Sequence, residues 1–375
     1  MASTSQLSAT MKALVLRSTA EPPSVEDLPI PSPTYGTAVI RILAAATTNF
    51  MKPVYTGGRP FSIPSPMVPG TSAIGRVVSV GPDCTRAKEG DLVFFDCVIR
   101  SRDSPADTYL SAVPFTLSES AKKLREHFGN GSFAEYCRTP LENLHVLNET
   151  RLLGDAAHGG LGYKVEQLAL AALLLVPFGG LKAVNLQAGE TVLVAPATGS
   201  FGGCGVLCAQ AMGARVIAMG RDEQLLAALK THVPFPERLH TVQITGNVQD
   251  EVAALTEIGG IDALLEIGPP QASRSTHIQS AILALKHGAR ISFMGGYRDD
   301  VSIPYGWIMN HGIRVQGTYM YQRTDVDDLF KLVETGSLDL NAGELNGIYP
   351  LEQWKEAWDG AASARGLAKL TVIKP

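Results

Sequence analysis

The first part of the chain consists of short apolar runs separated by turn residues. The runs KALVLR, TAVIRILAAAT, AIGRVVSVG and DLVFFDCV are rich in β-branched and aliphatic residues, and Pro and Gly lie between them. Runs of this length and composition are typical of β-strands. The pattern predicts a β-rich domain over residues 11–164, with a polar and irregular stretch at residues 99–131.

The pattern changes at about residue 165. Strand-like runs such as TVLVAP, ARVIAM and DALLEIG alternate with helix-like runs such as DEQLLAALKTH and STHIQSAILALKHG up to residue 320. This alternation predicts an α/β domain, in which helices cover a parallel sheet. Two helix-like runs, DVDDLFKLVETGS and LEQWKEAWDGAAS, and a closing strand, AKLTVIKP, follow within residues 321–375.

Composition narrows the class of partner. Of the 375 residues, 45% are hydrophobic and 18% are charged, and the net charge is −4. Without a long basic run, neither nucleic acid nor an anionic membrane is expected as a partner, and a small-molecule substrate is favoured. The longest apolar run, LALAALLLVPFGGL, is interrupted by Pro177 and is too short for a span of about 20 residues. The polar N-terminus does not resemble a signal peptide, so we expect a cytoplasmic protein.

Cysteine and histidine usage does not indicate a metal site or a disulfide framework. The five cysteines form no C-x-x-C pair, and their wide spacing is unlike that of a disulfide-rich domain. The eight histidines are scattered, without pairs at metal-ligand spacing. We therefore expect core or surface roles for these residues.

The segment VLVAPATGSFGGCGVLCAQAMGARVIAMGRD carries the strongest motif. Its loop, Ala197-Thr198-Gly199-Ser200-Phe201-Gly202, has the A-x-G-x-x-G form of a dinucleotide-binding fingerprint between a strand and a helix. Gly199 lets the backbone approach a pyrophosphate, Gly202 lets the helix pack on the strand, and the helix N-terminus offers free N–H groups. Gly213 is the expected helix C-cap. These residues predict a nicotinamide dinucleotide site.

The tip of the next strand bears on the choice of cofactor. An acidic residue there holds the ribose 2′-OH of NAD, whereas a small residue with a nearby Arg accommodates the 2′-phosphate of NADP. Gly220 occupies the tip and Arg221 follows, which favours NADP(H). NAD(H) stays possible, because Asp222 either holds ribose hydroxyls or simply starts the next helix. The alternative for Arg221 is a solvated surface cation.

At this point the chain resembles the medium-chain dehydrogenase/reductase superfamily over nearly its whole length. Besides the glycine loop, the stretches VPGTSAIGRVVSVGPDC, GDLVFF, GSFAEYC, GGLKAVNLQAGETVLV, ISFMGG and RGLAKLTVIKP carry the resemblance. It implies a GroES-like β-rich catalytic domain over residues 11–164, a Rossmann NAD(P)-binding domain over residues 165–320, and a C-terminal part, residues 321–375, that completes the catalytic domain. Homodimers are common in the family, so a homodimer is possible.

The chain departs from the zinc-dependent members of that family at the metal ligands. Thr48 lies where they carry a catalytic Cys, Gly70-Thr71-Ser72 replaces their Gly-His-Glu, and the third ligand position falls near Leu175. Hydroxyl and aliphatic side chains do not replace the thiolate, imidazole and carboxylate donors of zinc. The four close cysteines of a structural zinc lobe are also missing from residues 99–131. We therefore predict that no zinc is bound.

The zinc-free branch that the chain resembles includes quinone oxidoreductases and enoyl reductases. Its members carry an Asn-Phe near the nicotinamide, matched here by Asn49-Phe50. Without a metal, donors must stabilise the anion that forms on the substrate. Tyr55 is the preferred proton donor, with a packing role as its alternative. The further catalytic candidates are Asn49, Thr48, whose alternative is a strand-end role, and Lys52, whose alternative is a solvated charge.

The resemblance adds residues near the cofactor and an overall hypothesis. Gly295 and Gly296 are expected to approach the nicotinamide, Gly268 ends another strand on that side, and Lys369 matches a position that often faces the NADP phosphate side of the cleft. The chain is interpreted as a zinc-independent, NADP(H)-preferring oxidoreductase that reduces a conjugated enone or a quinone. The alternatives are a metal-free ketone reductase or alcohol dehydrogenase, and a cofactor-binding protein with a non-redox role.

Overall fold

The protein was analysed as a computed structural model that describes residues 9–59, 66–104, 106–113 and 118–375. The described residues form two compact units. The first unit contains the residues up to 172 together with residues 345–364 and 370–375. The second unit contains residues 173–344 and 365–369. The chain therefore leaves the first unit once, returns, and crosses again briefly near its end.

The strands follow one another along the described chain with these bounds: β1 (Thr10–Val15), β2 (Ser24–Pro29), β3 (Thr37–Thr47), β4 (Ala73–Val80), β5 (Leu92–Phe95), β6 (Val98–Arg100), β7 (Thr108–Leu110), β8 (Tyr136–Pro140), β9 (Leu144–Val146), β10 (Thr191–Ala195), β11 (Arg215–Gly220), β12 (Leu239–Gln243), β13 (Ile261–Glu266), β14 (Leu285–Phe293), β15 (Arg314–Gly317), β16 (Glu344–Pro350) and β17 (Lys369–Lys374).

The α-helices have these bounds: α1 (Met51–Tyr55), α2 (Ala121–Phe128), α3 (Glu149–Leu153), α4 (Val165–Leu168), α5 (Ala171–Ala183), α6 (Ser200–Ala211), α7 (Glu223–His232), α8 (Val248–Ile258), α9 (His277–Leu283), α10 (Tyr305–Asn310), α11 (Arg323–Glu334) and α12 (Trp354–Ser363).

The first unit is built around a seven-stranded sheet. Its path is β16-β17-β3-β4-β5-β9, and β8 also pairs with β3. β3 is buried along most of its length because it pairs with β4, β8 and β17. The closing strand β17 runs antiparallel to β3, with Thr371 opposite Thr47. The end of the chain thus completes the sheet of the first unit.

The second unit contains a six-stranded sheet of order β12-β11-β10-β13-β14-β15, in which each neighbouring pair is parallel. β10 is buried at every residue, as expected for a central parallel strand covered on both faces. The strand order reverses between β10 and β13, and ligands of such sheets bind outside the carboxyl ends of the strands at this reversal. The predicted division into a β-rich domain and an α/β domain with a parallel sheet is confirmed.

The units do not divide where the sequence pattern suggested. The predicted C-terminal part begins at residue 321, yet residues 321–344 belong to the second unit. An ion pair of 2.9 Å between Lys182 and Asp328 joins α5 to α11, and α11 buries Val326, Leu329 and Phe330. The second unit also starts later than residue 165, at Leu173. Packing of the amphipathic helix α11, which local periodicity does not specify, decides this assignment.

One predicted helix is shorter than its pattern. The run STHIQSAILALKHG is helical only through Leu283, and β14 begins at Leu285. The strand begins there because Leu285 pairs with Ile261 of β13. Sheet pairing therefore overrides the helical periodicity of this segment.

One helical stretch, Val165–Ala183, is long and apolar enough to cross a membrane by length and composition. The apolar run in this segment was predicted from the sequence to be too short to span a membrane. That prediction of length was wrong, because the helical stretch has 19 residues and continues on both sides of Pro177. However, 67% of its most apolar window is buried within the fold. Such burial is typical of the core helix of a folded domain.

Candidate nucleotide and substrate site

The glycine loop joins β10 to α6 and leaves open space beside Gly199. Gly199 is the N-cap of α6, in an extended conformation with φ −90° and ψ 165°, and no side chain caps this helix end. A Cβ built on Gly199 would meet no other described atom within 4 Å. The first N–H groups of α6, which lack acceptors within the helix, and the positive end of its dipole are available to an anion.

Gly202 has a different environment from Gly199. A Cβ on Gly202 would lie 2.1 Å from the carbonyl oxygen of Pro196 and 2.9 Å from Cα of Ala197. The helix therefore packs directly on the loop, and a side chain at this position would force them apart. Ser200 is buried and Phe201 is half-buried at the start of α6. The C-cap of α6 is Met212 and not the predicted Gly213, which follows it in the left-handed conformation with φ 86°.

Backbone hydrogen bonds fix the rest of the loop. The N–H group of Ala197 donates to the carbonyl oxygen of Met219 at 2.7 Å, which ties the loop to the end of β11. The carbonyl oxygen of Thr198 accepts from the N–H group of Gly366 at 3.2 Å. A Cβ on Gly220 would lie 2.7 Å from Cγ2 of Thr198. A larger residue at position 220 would therefore clash with the Thr198 side chain, which covers the glycine.

The two residues that follow β11, Arg221 and Asp222, differ in whether they have a partner. The carboxylate of Asp222 caps α7, since it accepts from the N–H group of Leu225 at 3.0 Å. Arg221 is exposed, and no described group forms an ion pair with its guanidinium. Its carbonyl oxygen accepts from the Gln243 side chain at 3.3 Å. The acid thus has a local helix-capping role, while the cation is available.

Lys369 lies beside the same loop but already has a partner. A Cβ on Gly366 would be 3.7 Å from Cε of Lys369, and the N–H group of Gly366 is the one that binds Thr198. The ammonium group of Lys369 forms a 2.9 Å ion pair with Glu344. A role for Lys369 toward a phosphate would require this partly exposed pair to open.

The glycines at the ends of β13 and β14 are small for a local reason. A Cβ on Gly268 would lie 1.8 Å from Oη of Tyr297, and one on Gly295 would lie 2.5 Å from Oε2 of Glu266. Gly296 is less restricted, with Pro270 as its nearest neighbour at 3.8 Å. The first two glycines therefore make room for Glu266 and Tyr297 of the same unit.

Sequence reasoning did not single out Glu266, His277 and Tyr297, which form one hydrogen-bonded cluster. Glu266 is 1% exposed and His277 is 0% exposed. The Tyr297 hydroxyl donates to Oε1 of Glu266 at 2.5 Å. An available signal was the acid at the end of the apolar run DALLE, because a buried carboxylate requires partners.

In the first unit, Thr48 and Asn49 lie at the end of β3. Thr48 is 6% exposed, and among the described residues no group hydrogen-bonds to its Oγ1. Such an unsatisfied buried hydroxyl costs about 1–3 kcal/mol, which a ligand or water can recover. Asn49 is half-buried, and its side-chain amide has no partner among the described residues. Both side chains are available for hydrogen bonds.

Tyr55 lies in the core of the first unit. It is 1% exposed, its hydroxyl donates to the carbonyl oxygen of Ala112 at 3.0 Å, and it accepts from the N–H group of Gly70 at 3.3 Å. Its ring stacks on Trp358 with centroids 5.4 Å apart. Burial raises the pKa of this phenol well above its ordinary value. The geometry favours the packing alternative for Tyr55 over proton donation.

Lys52 forms an ion pair with Asp359 on α12. The two side chains are 46% and 49% exposed, so this is a solvated surface pair. The geometry favours the solvated-charge alternative for Lys52.

The residues that the resemblance matches to the zinc ligands do not fit a zinc ion. Thr71 and Ser72 are buried, and Oγ of Ser72 accepts from the N–H group of Cys97 at 3.3 Å. Leu175 is fully buried and apolar. Together with Thr48 these side chains provide no thiolate, imidazole or carboxylate. Within the part of the chain that the structure describes, no group of three or more His, Cys, Asp or Glu side chains is arranged to hold a metal.

Two family models match the chain. The model described as "Alcohol dehydrogenase GroES-like domain" matches residues 35–149, and the model described as "Zinc-binding dehydrogenase" matches residues 201–335. Together they account for about two thirds of the chain, one in each unit. The chain belongs to the medium-chain dehydrogenase/reductase superfamily. Our resemblance-based assignment is confirmed, and so is the prediction of an NAD(P)H-dependent reductase or dehydrogenase.

Curated relatives and solved structures agree with this superfamily assignment. An alcohol dehydrogenase of Geobacillus stearothermophilus is 22% identical over 354 residues, which is 93% of this chain and 95% of that protein. A quinone oxidoreductase of Sus scrofa is 22% identical over 354 residues, which is 92% of each. The cobalt- and zinc-bound thermostable alcohol dehydrogenase of Pyrobaculum aerophilum has a TM-score of 0.71 at 20% identity and covers 98% of this chain and 100% of its own. This structural likeness shows the shared fold.

Proposed function

We propose that the protein is a zinc-independent, NADP(H)-preferring reductase that transfers hydride to a conjugated enone or a quinone. The observation that carries the proposal is the Thr48 hydroxyl, which is buried and without a described partner, at the position that the family resemblance matches to a zinc ligand. A hydroxyl and an amide at this place can donate hydrogen bonds to an oxygen but cannot replace zinc donors.

The proposed reaction needs only hydrogen-bond donors from the first unit. A nicotinamide dinucleotide held at the glycine loop would supply a hydride for the β-carbon of the enone, and the electron pair of the C=C bond would move to give an enolate. Thr48 and Asn49 donate hydrogen bonds to the enolate oxygen, where the negative charge develops. A solvent proton then completes the saturated ketone at the α-carbon. We assign Tyr55 and Lys52 no part in this step, because Tyr55 is buried with its own acceptor and Lys52 is paired with Asp359.

The preference for NADP(H) rests on the tip of β11. Gly220 leaves no carboxylate at the strand end, Asp222 caps α7, and the Arg221 guanidinium has no described ion-pair partner. A guanidinium binds a phosphate through two parallel hydrogen bonds, so Arg221 suits the 2′-phosphate of NADP. We expect Arg221→Ala to weaken NADPH binding by roughly tenfold or more, about the loss of one such charged contact. NADH binding should change little, and an equal loss for both nucleotides would contradict the assignment.

A panel of acceptors tests the reaction. Purified protein is mixed with NADPH and, separately, with enones, quinones and ketones, and the nicotinamide absorbance is followed. Oxidation with enones or quinones supports the proposal, and oxidation with ketones alone supports the metal-free ketone reductase or alcohol dehydrogenase. Tight binding of NADPH without turnover of any acceptor would support the non-redox alternative. Elemental analysis accompanies the assay, and stoichiometric zinc would contradict zinc independence.

Thr48→Val tests the carrying observation, and Thr139→Val is its control. Thr139 is 0% exposed, and its Oγ1 is likewise without a partner among the described residues, but it lies on β8. We expect Thr48→Val to lower kcat by 10²-fold or so, the typical effect of removing one oxyanion donor, with NADPH affinity unchanged. Thr139→Val should retain both parameters. Equal activity of the two variants would remove Thr48 from the reaction.

We also propose that the protein forms a homodimer. β15 is the last strand of its sheet and every residue in it is exposed, while Val315 on it and Met309 on α10 are 44% and 61% exposed. A second copy related by a two-fold axis can pair with this edge antiparallel, because such an interface matches itself. Val315→Lys should shift a dimer to monomer in sedimentation velocity.

We propose that the protein is located in the cytosol. The five cysteines are free thiols, in keeping with a reducing compartment.

A further inference from the structure

Glu266 holds two loops of the second unit at once. It is the last residue of β13, where it lies opposite Ala195, the last residue of β10 before the glycine loop. Its Oε1 accepts from the N–H group of Gly268 at 2.7 Å, and its Oε2 accepts from the N–H group of Gly295 at 3.1 Å. One carboxylate therefore fixes the backbone after both β13 and β14.

Two further side chains complete this cluster. The Tyr297 hydroxyl donates to Oε1 of Glu266 at 2.5 Å. Nε2 of His277 lies 3.4 Å from the same oxygen and 3.3 Å from the Tyr297 hydroxyl, and Nδ1 of His277 lies 2.9 Å from Oγ of Ser275. A buried carboxylate is costly without such partners, and hydrogen bonds to an ionised acceptor are about twice as strong as neutral ones.

The position of the cluster relates it to one half of a dinucleotide. In a doubly wound sheet the two mononucleotide halves lie on either side of the strand-order reversal, and the pyrophosphate lies at the glycine loop. The side of β11, with Arg221, corresponds to the adenosine half. The side of β13 and β14, with Gly268 and Gly295, corresponds to the nicotinamide half.

We infer that Glu266 is a positioning residue that holds the Gly268 and Gly295 backbone in place for the nicotinamide half of the cofactor, with Tyr297 completing the hydrogen-bonded support. Glu266 acts through these two backbone segments and not by contact with the substrate. The inference rests on the proposed binding of a nicotinamide dinucleotide.

Glu266→Gln tests the inference, because the amide keeps the size but loses the charge and one acceptor. We expect the dissociation constant of NADPH, measured by nicotinamide fluorescence, to rise roughly tenfold, the equivalent of one charge-assisted hydrogen bond. Affinity for 2′,5′-ADP, which contains only the adenosine half, should stay within about twofold of wild type. Hydrogen exchange without nucleotide should be faster in peptides that contain Gly268 and Gly295.

Glu251→Gln is the matched control. Glu251 is also 1% exposed, and it accepts from the N–H groups of Thr245 and Gly246 and from the hydroxyls of Thr276 and Ser280, none of which belongs to either glycine segment. Loss of this carboxylate should lower stability but leave NADPH affinity unchanged. If Glu266→Gln weakens NADPH no more than Glu251→Gln does, or weakens 2′,5′-ADP equally, Glu266 has only a structural role and the inference is overturned.

Tyr297→Phe keeps the inference testable if Glu266→Gln does not fold. It removes one hydroxyl donor and retains Glu266, and we expect a smaller rise in the NADPH dissociation constant, with 2′,5′-ADP unaffected. Unchanged NADPH affinity in this variant would contradict the support that we assign to Tyr297. Failure of the wild-type protein to bind either nucleotide would overturn the proposed function itself, whereas normal wild-type binding with unaffected variants would overturn only this inference.

Discussion

The two glycines of the nucleotide loop are predicted to respond oppositely to the same substitution. Gly199→Ala adds a methyl group where no described atom lies within 4 Å, at φ −90°, a value that any residue adopts. The folded state gains no clash, and alanine lowers the entropy of the unfolded chain, so the free energy of unfolding should change by less than about 1 kcal/mol. The new methyl group occupies the space proposed for the pyrophosphate, and NADPH affinity should fall at least roughly tenfold.

Gly202→Ala should reverse this pattern. Its Cβ would lie 2.1 Å from the carbonyl oxygen of Pro196. A carbon–oxygen contact needs about 1 Å more, so α6 or the loop must move, and overpacking of this kind costs about 1–3 kcal/mol or more. The unfolding free energy should fall accordingly, and any loss of NADPH affinity should accompany that displacement.

The assay combines urea unfolding, followed by intrinsic fluorescence, with NADPH titration of each folded variant. The reasoning predicts a stable Gly199→Ala protein that binds poorly and a destabilised Gly202→Ala protein. NADPH binding by Gly199→Ala at wild-type affinity would refute the placement of the pyrophosphate. Wild-type stability of Gly202→Ala would refute the close packing of helix on loop.

Two other predictions concern buried groups of the first unit. Tyr55→Phe removes the hydroxyl that donates to Ala112 and accepts from Gly70. The free energy of unfolding should therefore fall by about 1–3 kcal/mol, while kcat per folded molecule is retained. Loss of kcat at wild-type stability would instead support proton donation by Tyr55. Burial raises the pKa of the Cys137 thiol to about 12, so at pH 8 this thiol is neutral and unreactive. The half-exposed Cys84 should be the one thiol that reacts rapidly with Ellman's reagent in the native protein. All five thiols should react in denaturant. Rapid reaction of two or more thiols in the native protein would contradict this burial.

The sequence allowed much of the second unit to be predicted because the signals are contiguous. The apolar run of β10, the glycine loop and the start of α6 lie within one short segment, and each has its own local physical reason. The edge strand β15 escaped prediction because it is short and exposed at every residue, without an alternating apolar pattern. Its pairing with β14, which joins Arg290 to Arg314, depends on residues remote in sequence.

The candidate catalytic residues show the limit of local reasoning more sharply. Asn49, Lys52 and Tyr55 are close in sequence and equally suited by chemistry to donate a proton or a hydrogen bond. The structure separates them, because Tyr55 turns into the core toward Ala112, Lys52 pairs with Asp359, and Asn49 stays available. The partners that decide these roles lie tens to hundreds of residues away along the chain.

The sequence by itself determined the superfamily, the strand–loop–helix of the nucleotide site and the replacement of metal donors by hydroxyl residues. Each of these depends only on which side chains stand at fixed spacing. Tertiary structure alone decided that Thr48 is buried without a described partner, and that Glu266 joins Gly268 to Gly295. Burial and hydrogen-bond partnership arise from contacts between distant segments, and these contacts determine which polar groups are available for chemistry.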